Sequence, residues 1–171
     1  MACYLLGTGN RLSTVSNIKI KDIDFNGREI IVRKAKNRKQ QSIPLSNELR
    51  LILLEYLRYR KGEPDDFLFC NVYGNQLVHE SIKTCIARYN NKRGVARTSV
   101  HLYRHTFAKN WILNGGDIFR LKAILGHSTL AMVNNYVALY GNDLKRNYES
   151  FSVLDQSRKG INEKEKRIRI K

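Results

Sequence analysis

Apolar and polar residues change rhythm along this chain, and the change marks out its parts. Ile18, Ile20, Ile23 and Phe25 come close to alternating with polar residues, the period of a strand buried on one face. Asn26-Gly27 follows, a pair that favours a type I′ turn because both residues tolerate positive φ. Glu29 to Arg33 then predicts a second strand and Gln41 to Leu45 a third, with the polar stretch Lys34 to Lys39 as the hairpin tip. Pro44 falls near the end of the third strand, where a missing N–H is tolerated. Ahead of the sheet, Tyr4, Leu5 and Leu6 lead into Gly7-Thr8-Gly9 and read as the end of a helix whose beginning is missing. Ser13 is placed to cap the turn that follows.

After Leu45 the apolar spacing becomes helical. Ser46 caps a segment carrying Leu49, Leu53, Tyr56 and Leu57 on one face, which stops before Gly62 and Pro64. Phe67 to Tyr73 is a short apolar stretch closed by Gly74-Asn75, and Ser81 to Asn90 is predicted helical. Ser99 caps Val100 to Asn114, closed by Gly115-Gly116; Asp117 caps Ile118 to Leu125, closed by Gly126. Ser128 caps Thr129 to Leu139, closed by Gly141, and Asp143 to Leu154 is a last amphipathic helix with Leu144, Tyr148 and Phe151. The sum is an α+β fold, mainly α-helical, with a small three-stranded antiparallel sheet near the N-terminus. One domain over residues 1–155 precedes a basic tail, residues 156–171.

Composition narrows the functional classes. The chain has 171 residues and an apolar share of 42%, enough for one domain with a real core. No stretch of about 18 apolar residues predicts a membrane span, and Met1 to Leu6 lacks the form of a signal peptide, so a cytoplasmic protein is expected. Cys3, Cys70 and Cys85 suit neither a disulfide framework nor a zinc site. Thirty-one Lys and Arg oppose fifteen Asp and Glu, a formal charge of +16 that favours polyanions. The distribution is more telling. Ser81 to Gly116 contains no acidic residue but includes Lys92, Arg93 and Arg97; a second acid-free cluster is Arg33, Lys34, Lys36, Arg38 and Lys39. These two segments are the candidate nucleic-acid contacts.

Candidate chemistry sits further along. His101 and Arg104, three apart on one helix, share a face and can address a common anion. His127 stands between two predicted helices, near the N-terminus of the second, where free N–H groups favour a phosphate. Tyr136 lies nine residues on, about 13 Å along a straight helix, which is too far for direct contact with His127. Local reasoning therefore gives an anion site without assembling it. His105 reads as structural, Phe107, Trp111 and Ile112 as core.

In order along the chain stand Thr8-Gly9-Asn10-Arg11, Lys36 ahead of Ser42-Ile43-Pro44-Leu45, His101-Leu102-Tyr103-Arg104-His105-Thr106, Leu125-Gly126-His127 and Tyr136. This series resembles the catalytic domain of the tyrosine recombinase (phage integrase) family, and the resemblance runs over most of the chain. Two departures are the threonine Thr14, where the family usually has an acidic residue, and the absence of a glycine after Lys36. Lys34 and Lys39 stay open as alternatives to Lys36, and Tyr140 is the alternative to Tyr136. The family normally places a helical DNA-binding domain before this region, so the chain is expected to be a fragment.

The resemblance implies a site-specific DNA recombinase or integrase acting on double-stranded DNA without metal or other cofactor. Tyr136 would attack a phosphodiester to leave a 3′-phosphotyrosine link, with Arg11 and Arg104 gripping the non-bridging oxygens. His101 would accept the phenol proton, His127 donate a hydrogen bond, and Lys36 protonate the departing 5′ oxygen. Copies are expected to assemble on DNA and to be monomeric without it. The competing readings are a type IB topoisomerase, a non-catalytic DNA-binding module and, less favoured, a metal-dependent nuclease.

Overall fold

The computed structural model describes residues 1–33, 40–140 and 152–153. Lys34, Lys36, Arg38 and Lys39, most of the expected helix from Asp143 to Leu154, and the basic tail lie outside the described residues. Within them the order is α1 (Ala2–Thr8), α2 (Leu12–Asn17), β1 (Ile23–Asp24), β2 (Glu29–Val32), β3 (Gln41–Pro44), α3 (Asn47–Arg60), α4 (His79–Asn91), α5 (His101–Leu113), α6 (Ile118–Leu125) and α7 (Ala131–Tyr140). The sheet is antiparallel in the order β1-β2-β3, with Ile30 opposite Ile43 and Val32 opposite Gln41. The expected mainly helical α+β architecture is the one observed. No helix among the described residues is long and apolar enough to cross a membrane.

Local capping chemistry sets several boundaries where expected. The Ser46 hydroxyl accepts from Leu49 N–H to start α3, and Asp117 accepts from Arg120 N–H to start α6. Gly126 closes α6 in the left-handed conformation at φ 60. His127 N–H then bonds to the Lys122 carbonyl, the signature of a Schellman ending.

Five expectations fail. The run Ile18 to Phe25 is mostly not a strand: residues Ile20–Asp22 form a 3-10 turn, and only Ile23–Asp24 pairs with β2. Buried Asp22 holds the turn, accepting from Lys19 N–H at 2.9 Å and Arg33 Nε at 2.5 Å. Ile20 N–H and Lys21 N–H meanwhile bond to the Asp66 and Pro64 carbonyls. The β1–β2 connection is the four-residue turn 25–28, in which Arg28, not Gly27, has positive φ. A type I′ turn requires positive φ at both central residues, so the Asn-Gly signal misled. Asp24 stabilises the alternative by accepting from Asn26 and Gly27 N–H. Ser13 lies inside α2, which is N-capped by Arg11, and Ser99 gives α5 no side-chain cap. Finally, α7 begins at Ala131, so Ser128 is not its cap.

Two apolar clusters form the core. The larger joins Tyr4, Leu5, Val15, Ile30, Ile43, Leu49, Leu68 and Ile82 from α1, α2, the sheet, α3 and α4. The smaller joins Ala108, Leu121, Leu125, Val133 and Tyr136 from α5, α6 and α7, with Phe107, Trp111 and Ile112 against it. Helix α5 spans both, since Tyr103 packs on the first cluster and Phe107 on the second. The end of α6 does the same through Ile124 and Leu125. Arg104 therefore sits at the seam between them.

Candidate active site

The segment Thr8 to Arg11 is locked by its own side chains. Thr8 Oγ1 donates to the Tyr4 carbonyl at 2.7 Å and accepts from Asn10 N–H at 3.2 Å. Asn10 Nδ2 donates to the Tyr4 hydroxyl at 2.8 Å, and burial pushes that phenol's pKa up, which keeps it neutral. Gly9 caps α1 at φ 61, and a Cβ there would stand 2.8 Å from Leu125 and 2.9 Å from Phe107. Only glycine meets both the left-handed backbone and this close approach. The turn hands the chain to Arg11 and aims the Gly9 carbonyl at Arg104.

Arg104 is a buried charge supported by oxygen dipoles. Its Nη1 donates to Gly9 O and its Nη2 to Leu125 O, both at 2.8 Å. Arg11 reaches the same helix end, donating to Leu125 O and Gly126 O at 3.3 Å. The terminal carbonyls of α6, the negative pole of its dipole, thus hold two guanidinium groups. Gln41 fastens this helix end to β3, its Nε2 donating to Ala123 O and Ile124 O. No ion pair among the described residues includes Arg11 or Arg104. Burial, and then repulsion from Arg11, pull the Arg104 pKa down to about 10, while the electrostatic pull of Tyr136 acts the other way. Arg104 remains charged at neutral pH, so two positive charges meet here without a carboxylate among the described residues.

His127 and Tyr136 complete the cluster. Arg104 Nη2 lies 2.5 Å from His127 Nε2, and a guanidinium can only donate, so Nε2 is the acceptor. The imidazole proton is thereby assigned to Nδ1. Burial, then Arg104 and Arg11, lower the His127 pKa to about 4, consistent with a neutral ring. The Nδ1 atom is buried without a hydrogen-bond partner among the described residues. Tyr136 is buried as well, and its ring stacks on that of His127 at 6.5 Å between centroids and 10° between planes.

That contact overturns the straight-helix spacing. Residues 127–130 are not helical, so the chain turns before α7 and brings Tyr136, the sixth residue of α7, back to His127. The helix-N-terminus reading of His127 falls with it. The residue sits just past the C-terminus of α6, and the pull on an anion comes from Arg11 and Arg104.

Other expected site residues stand apart. His101 is exposed on the first turn of α5, lining a cavity of about 270 Å³ with Leu12, Glu80 and Lys83. The second imidazole against the Tyr136 ring belongs to His105, which is exposed. Its signal in the sequence was the spacing from His101, i to i+4 on one helix face. Gly9 and Gln41 were also missed, because carbonyl and amide anchors leave no local pattern. Lys92, Arg93 and Arg97 are exposed, with Arg93 lying 3.6 Å above the Tyr89 ring centroid. The Arg33 side chain is half-exposed and paired with Asp22.

Residues 1–142 match the profile of the phage integrase family. The chain belongs to the phage integrase family. Among relatives, the tyrosine recombinase XerC of Listeria monocytogenes serotype 4a is 31% identical over 153 residues, covering 84% of this chain and 50% of that protein. The crystal structure of XerA recombinase superposes with a TM-score of 0.73 at 30% identity, over 86% of this chain and 54% of the other. XerH site-specific recombinase, solved bound to its difH substrate in a pre-cleavage complex, gives 0.69 at 27% identity, over 80% and 41%. The chain thus spans about half the length of the integrase-family relatives it matches.

Proposed function

We propose that this chain is the DNA-cleaving and rejoining domain of a site-specific tyrosine recombinase. One observation carries the reading. Arg11 and Arg104 converge on the end of α6 with no acidic partner among the described residues, and Arg104 contacts His127, on which the Tyr136 ring is stacked. A phosphodiester would offer its non-bridging oxygens and one negative charge to the two guanidiniums and give the orphaned His127 Nδ1–H an acceptor. The substrate complex of XerH supports DNA as the source of that phosphate.

In the reaction, the Tyr136 oxygen bonds to phosphorus and the bond to the 5′ oxygen breaks, leaving a 3′-phosphotyrosine link and a 5′ hydroxyl. A phenol has an ordinary pKa near 10, so its proton must be taken up as the bond forms. The family resemblance gives that proton to His101, which stands apart from Tyr136 without DNA and has to approach it in the complex. Arg11, Arg104 and His127 stabilise the charge on the non-bridging oxygens, and Lys36 delivers a proton to the leaving 5′ oxygen. A second 5′ hydroxyl can reverse the step, which exchanges strands. Arg33, Lys34, Arg38, Lys39, Lys92, Arg93 and Arg97 supply flanking phosphate contacts.

Copies of the chain assemble on DNA, with Asp143 to Leu154 as the candidate contact, which either folds back onto its own domain or docks on another copy; the free chain is monomeric. Light scattering that gave a stable tetramer without DNA would contradict this. Incubation with a nicked duplex, from which the short 5′-hydroxyl fragment diffuses away, tests the chemistry. A covalent protein–DNA band at the 3′ end is expected, and its absence with intact binding would leave only a DNA-binding module.

A further inference from the structure

The surroundings of His105 show more than a surface histidine. Its side chain is exposed, so it fills no core, yet its ring lies 5.4 Å from that of Tyr136 at an interplanar angle of 56°. This is closer than the 6.5 Å separating Tyr136 from His127. Helix α7 packs on α5 and α6, and its buried anchors are Val133 and Tyr136 itself. The phenol ring is thus a packing element of α7 as well as the reactive group, and its direction depends on what flanks it along α5.

We propose that His105 is a positioning residue for the nucleophile: its imidazole holds the Tyr136 ring against His127 in one orientation. The inference rests on the reading of Tyr136 as nucleophile. A tilted pair of rings at this separation is a favourable arrangement and leaves the phenol fewer rotamers. In-line attack needs the oxygen placed well, since a misplacement of about 1 Å can cost about 100-fold in rate. Truncating His105 removes one of the two ring contacts of Tyr136 among the described residues and leaves Arg11, Arg104 and His127 in place. The loss should therefore fall on the rate of covalent capture and spare DNA affinity.

The test compares the full 171-residue chain with His105→Ala and His105→Phe. Single-turnover capture of a nicked duplex is timed at saturating protein, with duplex affinity and melting temperature measured in parallel. The ring signals of ¹³C-labelled Tyr136 are followed by NMR. His105→Ala is expected to slow capture about 10- to 100-fold. Its affinity should stay within about twofold and its melting temperature within about 2 °C of wild type. His105→Phe keeps a ring and should capture within about threefold of wild type. The Tyr136 signals should broaden or split in the alanine variant and stay single and sharp in the phenylalanine variant.

Wild-type capture by His105→Ala, or Tyr136 signals unchanged in it, would overturn the inference. So would a His105→Phe variant as slow as His105→Ala, or a fall in affinity and melting temperature that accounts for the lost capture. A wild-type chain that captures nothing would remove the nucleophile reading, and the NMR signals would still decide whether His105 sets the ring.

Discussion

Acid alone tests the neutral state of His127. Its pKa falls from 6.5 to about 4 on folding, because burial and the Arg104 and Arg11 charges oppose protonation. Below the higher value the unfolded chain binds a proton that the folded chain refuses until the lower one. Stability contributed by this group is therefore intact above about pH 6.5 and lost as pH falls toward about 4. At about 1.4 kcal/mol per pH unit the whole window is worth about 3 kcal/mol, of which about 2 kcal/mol goes between pH 7 and pH 5. Other groups titrate in the same range, so the comparison is with His127→Gln, which can accept from Arg104 but does not titrate. Urea unfolding of both proteins at pH 7 and pH 5, without DNA, should show wild type losing about 2 kcal/mol more than the variant. Equal losses, or a smaller loss in wild type, would refute the neutral state of His127 in the fold.

Three other outcomes are expected. Gly9→Ala puts a Cβ onto Leu125 and Phe107 at φ 61 and should destabilise the fold by about 2–4 kcal/mol in denaturant titration. If about six to ten phosphates are neutralised, duplex affinity should fall about 10³- to 10⁵-fold between about 50 and 200 mM salt, and a flat titration would contradict the basic-surface reading. Lys36→Ala should slow cleavage of an ordinary duplex and recover on one with a better 5′ leaving group, whereas rescue of Lys34→Ala or Lys39→Ala instead would move the assignment.

What could be read from the sequence follows from where each piece of information resides. Helix α6 was legible at both ends because Asp117 and Gly126 act on neighbouring backbone groups. The start of α3 was legible for the same reason at Ser46. The stretch from Ile18 to Phe25 was not, because its backbone bonds go to residues 64–66 and its turn depends on buried Asp22. The site divides in the same manner. Arg11, Arg104, His127 and Tyr136 were visible as an ordered series, and the structure gathers them at the seam of two clusters. How Tyr136 reaches His127 was hidden, since no periodicity marks the turn at residues 127–130 that sets the start of α7. His105 was set aside because its role depends on the packing of α7 against α5.

Covalent capture of a nicked duplex by Tyr136→Phe and Tyr140→Phe decides whether Tyr136 is the group that attacks DNA. Both residues lie on α7, one turn apart. Tyr136→Phe removes one oxygen and keeps the ring that packs against His127 and His105. Its melting temperature and DNA affinity should stay near those of wild type, while capture disappears on every substrate, including those with a better leaving group. Tyr140→Phe should capture at close to the wild-type rate. Capture that persists in Tyr136→Phe and vanishes in Tyr140→Phe would contradict the account and move the nucleophile one helical turn along.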